Sequence, residues 1–397
     1  MLRPSPDAVD RLLSHNVEQV IERAHLRARL LKPKEKLRVK LGIDPTAPDI
    51  HLGLAVVLRK LREFQELGHA VVLIIGDATA RIGDPSGRSK TRPVLHHDEI
   101  LANEKTYLQQ VGNILDLARA EVRHNNEWFY RLSFADVVDL LQKFTVARIL
   151  ERDDFQKRLK ARSPISLHEL LYPALQAFDS KMVEADVEIG GTDQTFNLLA
   201  GRDLQPHYGQ PPQDILTVPL LVGLDGKDKM SKSLGNAVGI TNPPDEMFGK
   251  LMTIPDAVIP DYARLAADWS DEKVKELSKR TKKENPRDIK LEIARDIVAL
   301  YYGATAAKRA ADEWLRVFHK KELPEDIPTK KLRKGEWDIT ELLVAAGLAT
   351  SKSDARRLVA QGGVQHNESR VAPQAATLDL AKDDLLQVGK RKFVRVG

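Results

Sequence analysis

Apolar residues recur at helical spacing through Val9, Leu12, Leu13, Val17, Val20 and Ile21, which predicts a helix over 8–31 closed by Pro33. The period then shortens. Leu37, Val39, Leu41 and Ile43 alternate with other residues, the mark of a strand. A tight loop at 44–49 leads into a helix over 50–67, stopped by Gly68, and then into the apolar run 70–76, a buried strand. Strand, crossover helix and strand make a βαβ unit with a parallel sheet. A loop over 77–92, rich in turn formers, follows. The pattern next gives a helix at 98–117, a strand at 121–125 and helices at 134–144 and 146–159. Ser166 and Glu169 form a capping box that opens another helix. A strand at 187–191, a cap at 192–194, a helix at 195–204 and a strand at 215–222 read as a second βαβ half.

Beyond Pro243-Pro244 the strand signals stop. Helices are expected over 245–253, 257–265, 271–280 and 286–319. Residues 321–336 hold Pro324 and Pro328 among basic residues and read as a linker. The tail, 337–397, is compact: helices at 339–346 and 351–359, then Gly362-Gly363 and short strands. The expected class is α/β: a parallel-sheet domain over 1–240 with an inserted helical segment at about 91–164, a helical domain over 241–320, the linker, and a small α+β domain. The insertion reads as packing and possible subunit contact.

Composition narrows this little. The 397 residues exceed one ordinary core. Hydrophobic residues are 42% and charged residues 30%, which suits a soluble enzyme, and no run approaches a membrane span. With no cysteine, disulfides and thiolate metal sites are excluded, and no protein-bound metal site is expected; a cytoplasmic location fits. The net charge of +5 suits a polyanionic partner if the charge is clustered.

The chemistry gathers at two stretches. Lys229-Met230-Ser231-Lys232-Ser233 sits between Gly226 and Gly235, and two ammonium groups with two hydroxyls can wrap a polyphosphate. Alone, it could equally be a solvated charged loop. His51, Gly53 and Leu54 fall at a helix N-terminus beyond the carboxyl end of a strand, where open α/β sheets bind ligands and helix dipoles favour phosphate. There His51 can donate to a phosphate oxygen. A third stretch, Tyr172, Gln176 and Asp179, puts phenol, amide and carboxylate on one helix face, either a small-ligand pocket or a solvated surface.

Taken together, these stretches resemble those of the bacterial tyrosyl-tRNA synthetases, a class I aminoacyl-tRNA synthetase family, over essentially the whole chain. Residues 45–54 are similar to the first signature and 229–233 to the second; Asp44-Pro45-Thr46-Ala47, Gly83-Asp84-Pro85-Ser86-Gly87 and Gly190-Gly191-Thr192-Asp193-Gln194 also match. The tail resembles an RNA-binding domain of a ribosomal protein. The resemblance implies a Rossmann-like catalytic domain, a helical anticodon-binding domain, a homodimer, and two reactions: tyrosine activated by ATP with Mg²⁺, then transfer to tyrosine tRNA. It implies catalytic roles for His51, Lys229 and Lys232. ATP would be held by Pro45, Thr46, His51, Gly53, Leu54, Gly191, Asp193, Lys229, Met230, Ser231, Lys232 and Ser233. Tyrosine would be held by Asp44, Thr79, Asp84, Tyr172, Gln176, Asp179 and Gln194, with Asp179 accepting the phenol proton and Tyr172, Gln176 and Asp84 on the α-ammonium. Lys352, Arg356 and Arg357 of the tail would meet tRNA. A buried carboxylate left without a phenol should reject phenylalanine, an effect for which these synthetases are themselves the standard example.

Three positions depart from the family pattern. Leu54 replaces the second histidine of the first signature, so His51 or another donor must carry more. Lys40 stands where many relatives have tyrosine, which leaves the second contact to the phenol open. Arg88 replaces a lysine, keeping charge but changing geometry. The nearest alternatives are a tryptophanyl-tRNA synthetase, a nucleotidyltransferase with the same phosphate site, and an RNA-binding relative without catalysis.

Overall fold

The computed structural model describes residues 4–32, 35–46, 48–84, 97–318, 327–372, 375–389 and 392–397. The chain forms two compact units, 1–308 and 309–397. The first is built on a six-stranded sheet in the order β1-β6-β5-β2-β3-β4. Its strands are β1 (Gln19–Ile21), β2 (Arg38–Ile43), β3 (Ala70–Ile75), β4 (Ala120–His124), β5 (Val187–Gly191) and β6 (Asp214–Val218). All neighbours run parallel except β1, which pairs antiparallel with β6. β2 lies in register with β3 from Arg38↔Ala70 to Ile43↔Ile75. β3 is a continuous apolar run, as a central strand covered on two faces requires, whereas β2 alternates Val39, Leu41 and Ile43 with Arg38, Lys40 and Gly42.

From β2 the chain winds outward through β3 to β4, then returns to wind the other way through β5 and β6. The order reverses between β2 and β5, so their carboxyl ends open onto the switch-point crevice. Helix α3 (Leu52–Glu66) follows β2, capped by His51. Helix α9 (Leu167–Met182) opens on the Ser166–Glu169 capping box and packs against α10 (Thr195–Leu204), which follows β5.

Several sequence expectations are corrected. The stretch 8–31 is not one helix: α1 (Pro6–Leu12) ends early, β1 adds an edge strand, and α2 (Arg23–Leu30) follows. Asn16 and Glu22 take left-handed backbone on either side of β1, which breaks the helical run. Pro33 lies outside the described residues. Helix 146–159 is two pieces, α7 (Val146–Ile149) and α8 (Asp153–Lys160). Strand β6 stops at Val218 because Pro219 has no N–H for the ladder. The region 257–265 is a 3₁₀ turn, a short helix and a π turn. The long helix Pro286–Phe318 is broken at Gly303, whose φ of 80° and ψ of 164° are not helical.

The second unit has its own core, with Leu342, Leu343, Ala355, Leu386 and Val396 at its centre. Part of the stretch expected to be linker belongs to it. β7 (Thr329–Lys330) pairs with β13 (Lys392–Val396), and β8 (Gly335–Asp338) pairs with β11 (Thr377–Leu380). β9 (Val364–His366), β10 (Ser369–Arg370) and β12 (Leu385–Val388) complete its sheets.

Candidate active site

A cavity of about 520 Å³ lies at the carboxyl ends of β2, β3 and β5. Its lining brings together Asp44, Thr46, His51, Gly53, Leu54, Thr79, Asp84, Tyr172, Gln176, Asp179, Gly191, Asp193, Gln194, Lys229, Met230, Ser231 and Ser233. Elements separated by more than a hundred residues in sequence thus meet at one crevice. Two expected residues stand off the lining. Pro45 is buried, its carbonyl accepting from Asn103 Nδ2 at 3.0 Å. Lys232 pairs its ammonium with Asp49 instead. Lys352, Arg356 and Arg357 belong to the second unit, on an exposed helix (Lys352–Ala360); Lys352 pairs with Glu341 and Arg357 with Asp354. Ala47, Pro85, Ser86, Gly87 and Arg88 lie outside the described residues.

His51 is held by its own helix. Its Nδ1 accepts the Leu54 N–H at 3.3 Å, so the neutral ring carries its proton on Nε2. Burial, then the charges of Lys232 and Lys229, push its pKa down to about 4. A neutral imidazole at pH 7 can donate a hydrogen bond without adding charge. A side chain on Gly53 would put Cβ 3.1 Å from that ring, so glycine leaves room for it. Leu54, the departure from the family pattern, contributes its backbone N–H and an apolar wall.

The Lys229–Ser233 stretch is more ordered than a free loop. Val222 and Lys229 form an antiparallel bridge, Met230 N–H donates to Leu221 at 2.8 Å, and Met230 is buried. Gly226, with φ of 69°, makes the turn between them. Lys229 pairs with Asp193, and the Ser231 and Ser233 hydroxyls lie 3.0 Å apart.

The helix face of Tyr172, Gln176 and Asp179 is buried, not solvated. The Tyr172 hydroxyl donates to Asp44 at 2.9 Å, and Thr79 donates to the same carboxylate at 2.8 Å. A Cβ at Gly76 would fall 2.0 Å from Asp44 Oδ1 and 2.4 Å from the Thr79 hydroxyl, so any side chain there would displace both groups. Asp179 accepts from Trp128 Nε1 at 2.9 Å and Asn125 Nδ2 at 3.3 Å. Burial raises its pKa to about 7 against the pull of Lys40 and those hydrogen bonds. Lys40 does not line the cavity. It is fully buried, 2.8 Å from Glu188 and 2.8 Å from the Ser180 hydroxyl, and it donates to the Gln176 carbonyl at 3.1 Å. Glu188 also accepts from the Gln176 amide at 3.1 Å.

Residues 32–319 match the family described as tRNA synthetases class I (W and Y), and residues 320–396 match the tyrosine–tRNA ligase SYY-like C-terminal domain. The chain belongs to the class I tRNA synthetases of the tryptophan and tyrosine type. A tyrosine–tRNA ligase of Thermotoga maritima is 51% identical over 99% of this chain and 98% of its own length. One of Moorella thermoacetica is 47% identical over 97% and 95%. Among solved structures, tyrosyl-tRNA synthetase complexed with L-tyrosine from Archaeoglobus fulgidus superposes with a TM-score of 0.61 at 25% identity, covering 77% of this chain and 100% of that one. A C-terminally truncated mitochondrial tyrosyl-tRNA synthetase of Aspergillus nidulans gives 0.64 at 21% identity, over 78% of this chain and 94% of that one, a likeness of fold alone.

The crevice of this class I synthetase also contains groups that sequence reading passed over. Tyr107, from the helix His97–Val111, lines it. Asn125 and Trp128 reach it through Asp179. Asn125 stands directly after β4, at the same sheet edge as Asp44 and Thr192, and that position was the available signal.

Proposed function

We infer that this chain is a tyrosine–tRNA ligase that performs two steps at the crevice, an adenylyl transfer and then an acyl transfer. One tyrosine carboxylate oxygen attacks the α-phosphorus of ATP, carried as its Mg²⁺ complex; the bond to the β-phosphate oxygen breaks and pyrophosphate leaves. A terminal ribose hydroxyl of tyrosine tRNA then attacks the tyrosyl carbonyl, and AMP leaves. The carrying observation is the joining of a buried phenol–amide–carboxylate face with the Lys229–Ser233 stretch and the His51 helix cap in one cavity.

In this reading Asp179 receives the phenol and Tyr172, Gln176 and Asp84 take the α-ammonium, with Asp44, Thr79 and Gln194 around them. The Nε2–H of His51, the ammonium groups of Lys229 and Lys232, and the hydroxyls of Ser231 and Ser233 serve the phosphates. Both lysines now face carboxylates, so ATP would exchange Asp193 and Asp49 for phosphate oxygens. Such catalysis is positioning and charge stabilisation. The helical region 241–320 would meet the anticodon, and the tail, through Lys352, Arg356 and Arg357, tRNA phosphates.

A homodimer fits the surface of the insertion. Phe134 is 84% exposed, Val146 64% and Tyr130 57%, and Leu167 just beyond is 82% exposed, an apolar series that a second copy would cover. No described helix is long and apolar enough to cross a membrane; a cytoplasmic enzyme fits. ATP–pyrophosphate exchange with tyrosine, tryptophan and phenylalanine tests the reading: exchange with tyrosine alone is expected, and preference for another amino acid overturns it.

A further inference from the structure

Arg152 lies in the insertion, between α7 and α8, yet is 3% exposed. Its guanidinium stands 3.7 Å from Asp84 and 3.1 Å from Asp154, and it stacks 5.2 Å from the Phe155 ring and 5.7 Å from the Phe196 ring. It donates to Asn197 Oδ1 at 2.7 Å. Asn197 Nδ2 donates to Gln194 Oε1 at 2.9 Å, and Gln194 Nε2 donates to Asp84 Oδ2 at 2.7 Å. The contacts close a ring through Arg152, Asn197, Gln194 and Asp84, and the last two line the cavity.

The ring has a direction. A guanidinium only donates, so Asn197 must turn its carbonyl oxygen to Arg152. That turns its NH₂ to Gln194, whose carbonyl must face it, and so the Gln194 NH₂ faces Asp84. Asp84, which only accepts, asks the same orientation of Gln194 from the other end, so cation and carboxylate agree on both amides; without Arg152 the buried Asn197 oxygen loses its donor and Asp84 loses its neighbouring positive charge. We propose that Arg152 is a positioning residue for the ammonium end of the amino acid: it anchors the donor end of the amide relay and, with Gln194, braces the Asp84 carboxylate toward the cavity. This rests on the cavity being the tyrosine site.

The test is equilibrium binding to the full-length protein of four probes: tyrosine, tyramine (ammonium but no carboxylate), 3-(4-hydroxyphenyl)propionate (carboxylate but no ammonium) and ATP. Arg152→Met should weaken tyrosine and tyramine about tenfold or more and leave the other two within about twofold. Arg152→Lys, which keeps charge but loses the fork, should recover binding only in part. Asn197→Leu keeps the guanidinium and cuts the relay, so it should show the same selectivity for ammonium-bearing probes; it decides the matter if Arg152→Met fails to fold. Equal loss across all four probes, or no loss, overturns the proposal. Failure of the unaltered protein to bind tyrosine would instead overturn the functional reading.

Discussion

Asp179→Asn separates the electrostatic cost of this carboxylate from its use. The side chain is 4% exposed, and its folded pKa is raised from 3.8 to about 7. An acid whose pKa is raised by folding binds more protons when folded, so stability falls as pH rises from the unfolded value through the folded one. Full ionisation of the folded carboxyl costs about 4 kcal/mol on this gap. Asparagine has no such titration, so its stability relative to the unaltered chain should improve by about 2.5 kcal/mol between about pH 5 and about pH 8. Against this stands a pH-independent loss. One amide oxygen can keep the Trp128 bond, but the amide nitrogen then faces the Asn125 nitrogen, at about 1–3 kcal/mol. For the substrate, a phenol bond to a charged acceptor is worth about 1.5–3 kcal/mol, so tyrosine should lose roughly tenfold to a hundredfold in kcat/KM while phenylalanine is unmoved. Urea unfolding at the two pH values and exchange assays with both amino acids read these effects. A pH-independent stability difference refutes the titration, and an unchanged preference for tyrosine places the phenol elsewhere.

Lys232→Ala should slow adenylate formation far more than it weakens tyrosine binding, as expected of a contact made mainly in the transition state; an unchanged pre-steady-state rate at saturating ATP would sink that role. Lys40→Met strands Glu188, itself 1% exposed, and should cost about 3–5 kcal/mol in urea unfolding; addition of Glu188→Gln should recover part of it. Deleting 320–397 should leave ATP–pyrophosphate exchange largely intact, cut tRNA charging sharply and flatten the salt dependence of tRNA binding; parallel loss of exchange, charging and melting temperature would mark the tail as a stabiliser. The cut belongs at 320 and not after Glu336, because β7 and β8 pair inside the tail's own sheets.

The parts of this molecule that could be read from sequence are those whose signal is local. Strand β2 is a short alternating pattern and β3 a short apolar run, each bounded by turn residues, and the α9 capping box spans four positions, so a window of ten residues contains each argument. The reading of 8–31 as one helix failed for the same reason. Val17, Val20 and Ile21 satisfy the helical period, but β1 exists because β6, almost two hundred residues on, offers it an open edge. No local pattern carries that. Gly303 gives the opposite case: a glycine inside a strong period is tolerated often enough that its left-handed backbone cannot be read in advance.

The site divides along the same line. Many residues that would face the ligand, such as Asp44, His51, Asp193 and Gln194, are polar types at strand ends and helix starts, where the fold alone directs attention; Tyr172, Gln176 and Asp179 instead show themselves by sharing one helix face. Residues that act on those residues have no such mark. Lys40 looks like an interruption in an apolar strand until Glu188 is seen 2.8 Å away, and Arg152 looks like one more charge in a charged helical segment. Both are basic side chains buried at a cost that partners on other elements help offset, Arg152 having Asp154 two residues on as well. Their partners, Glu188 and Asn197, are equally unremarkable in sequence. A long cationic side chain can reach a partner on another element from either a strand or a loop, so neither the local period nor the residue type reveals which cations are solvated and which are buried. Only the contacts of the folded chain identify them: Glu188 and Ser180 around Lys40, and for Arg152 a ring that exists only once α7, α8 and α10 have packed.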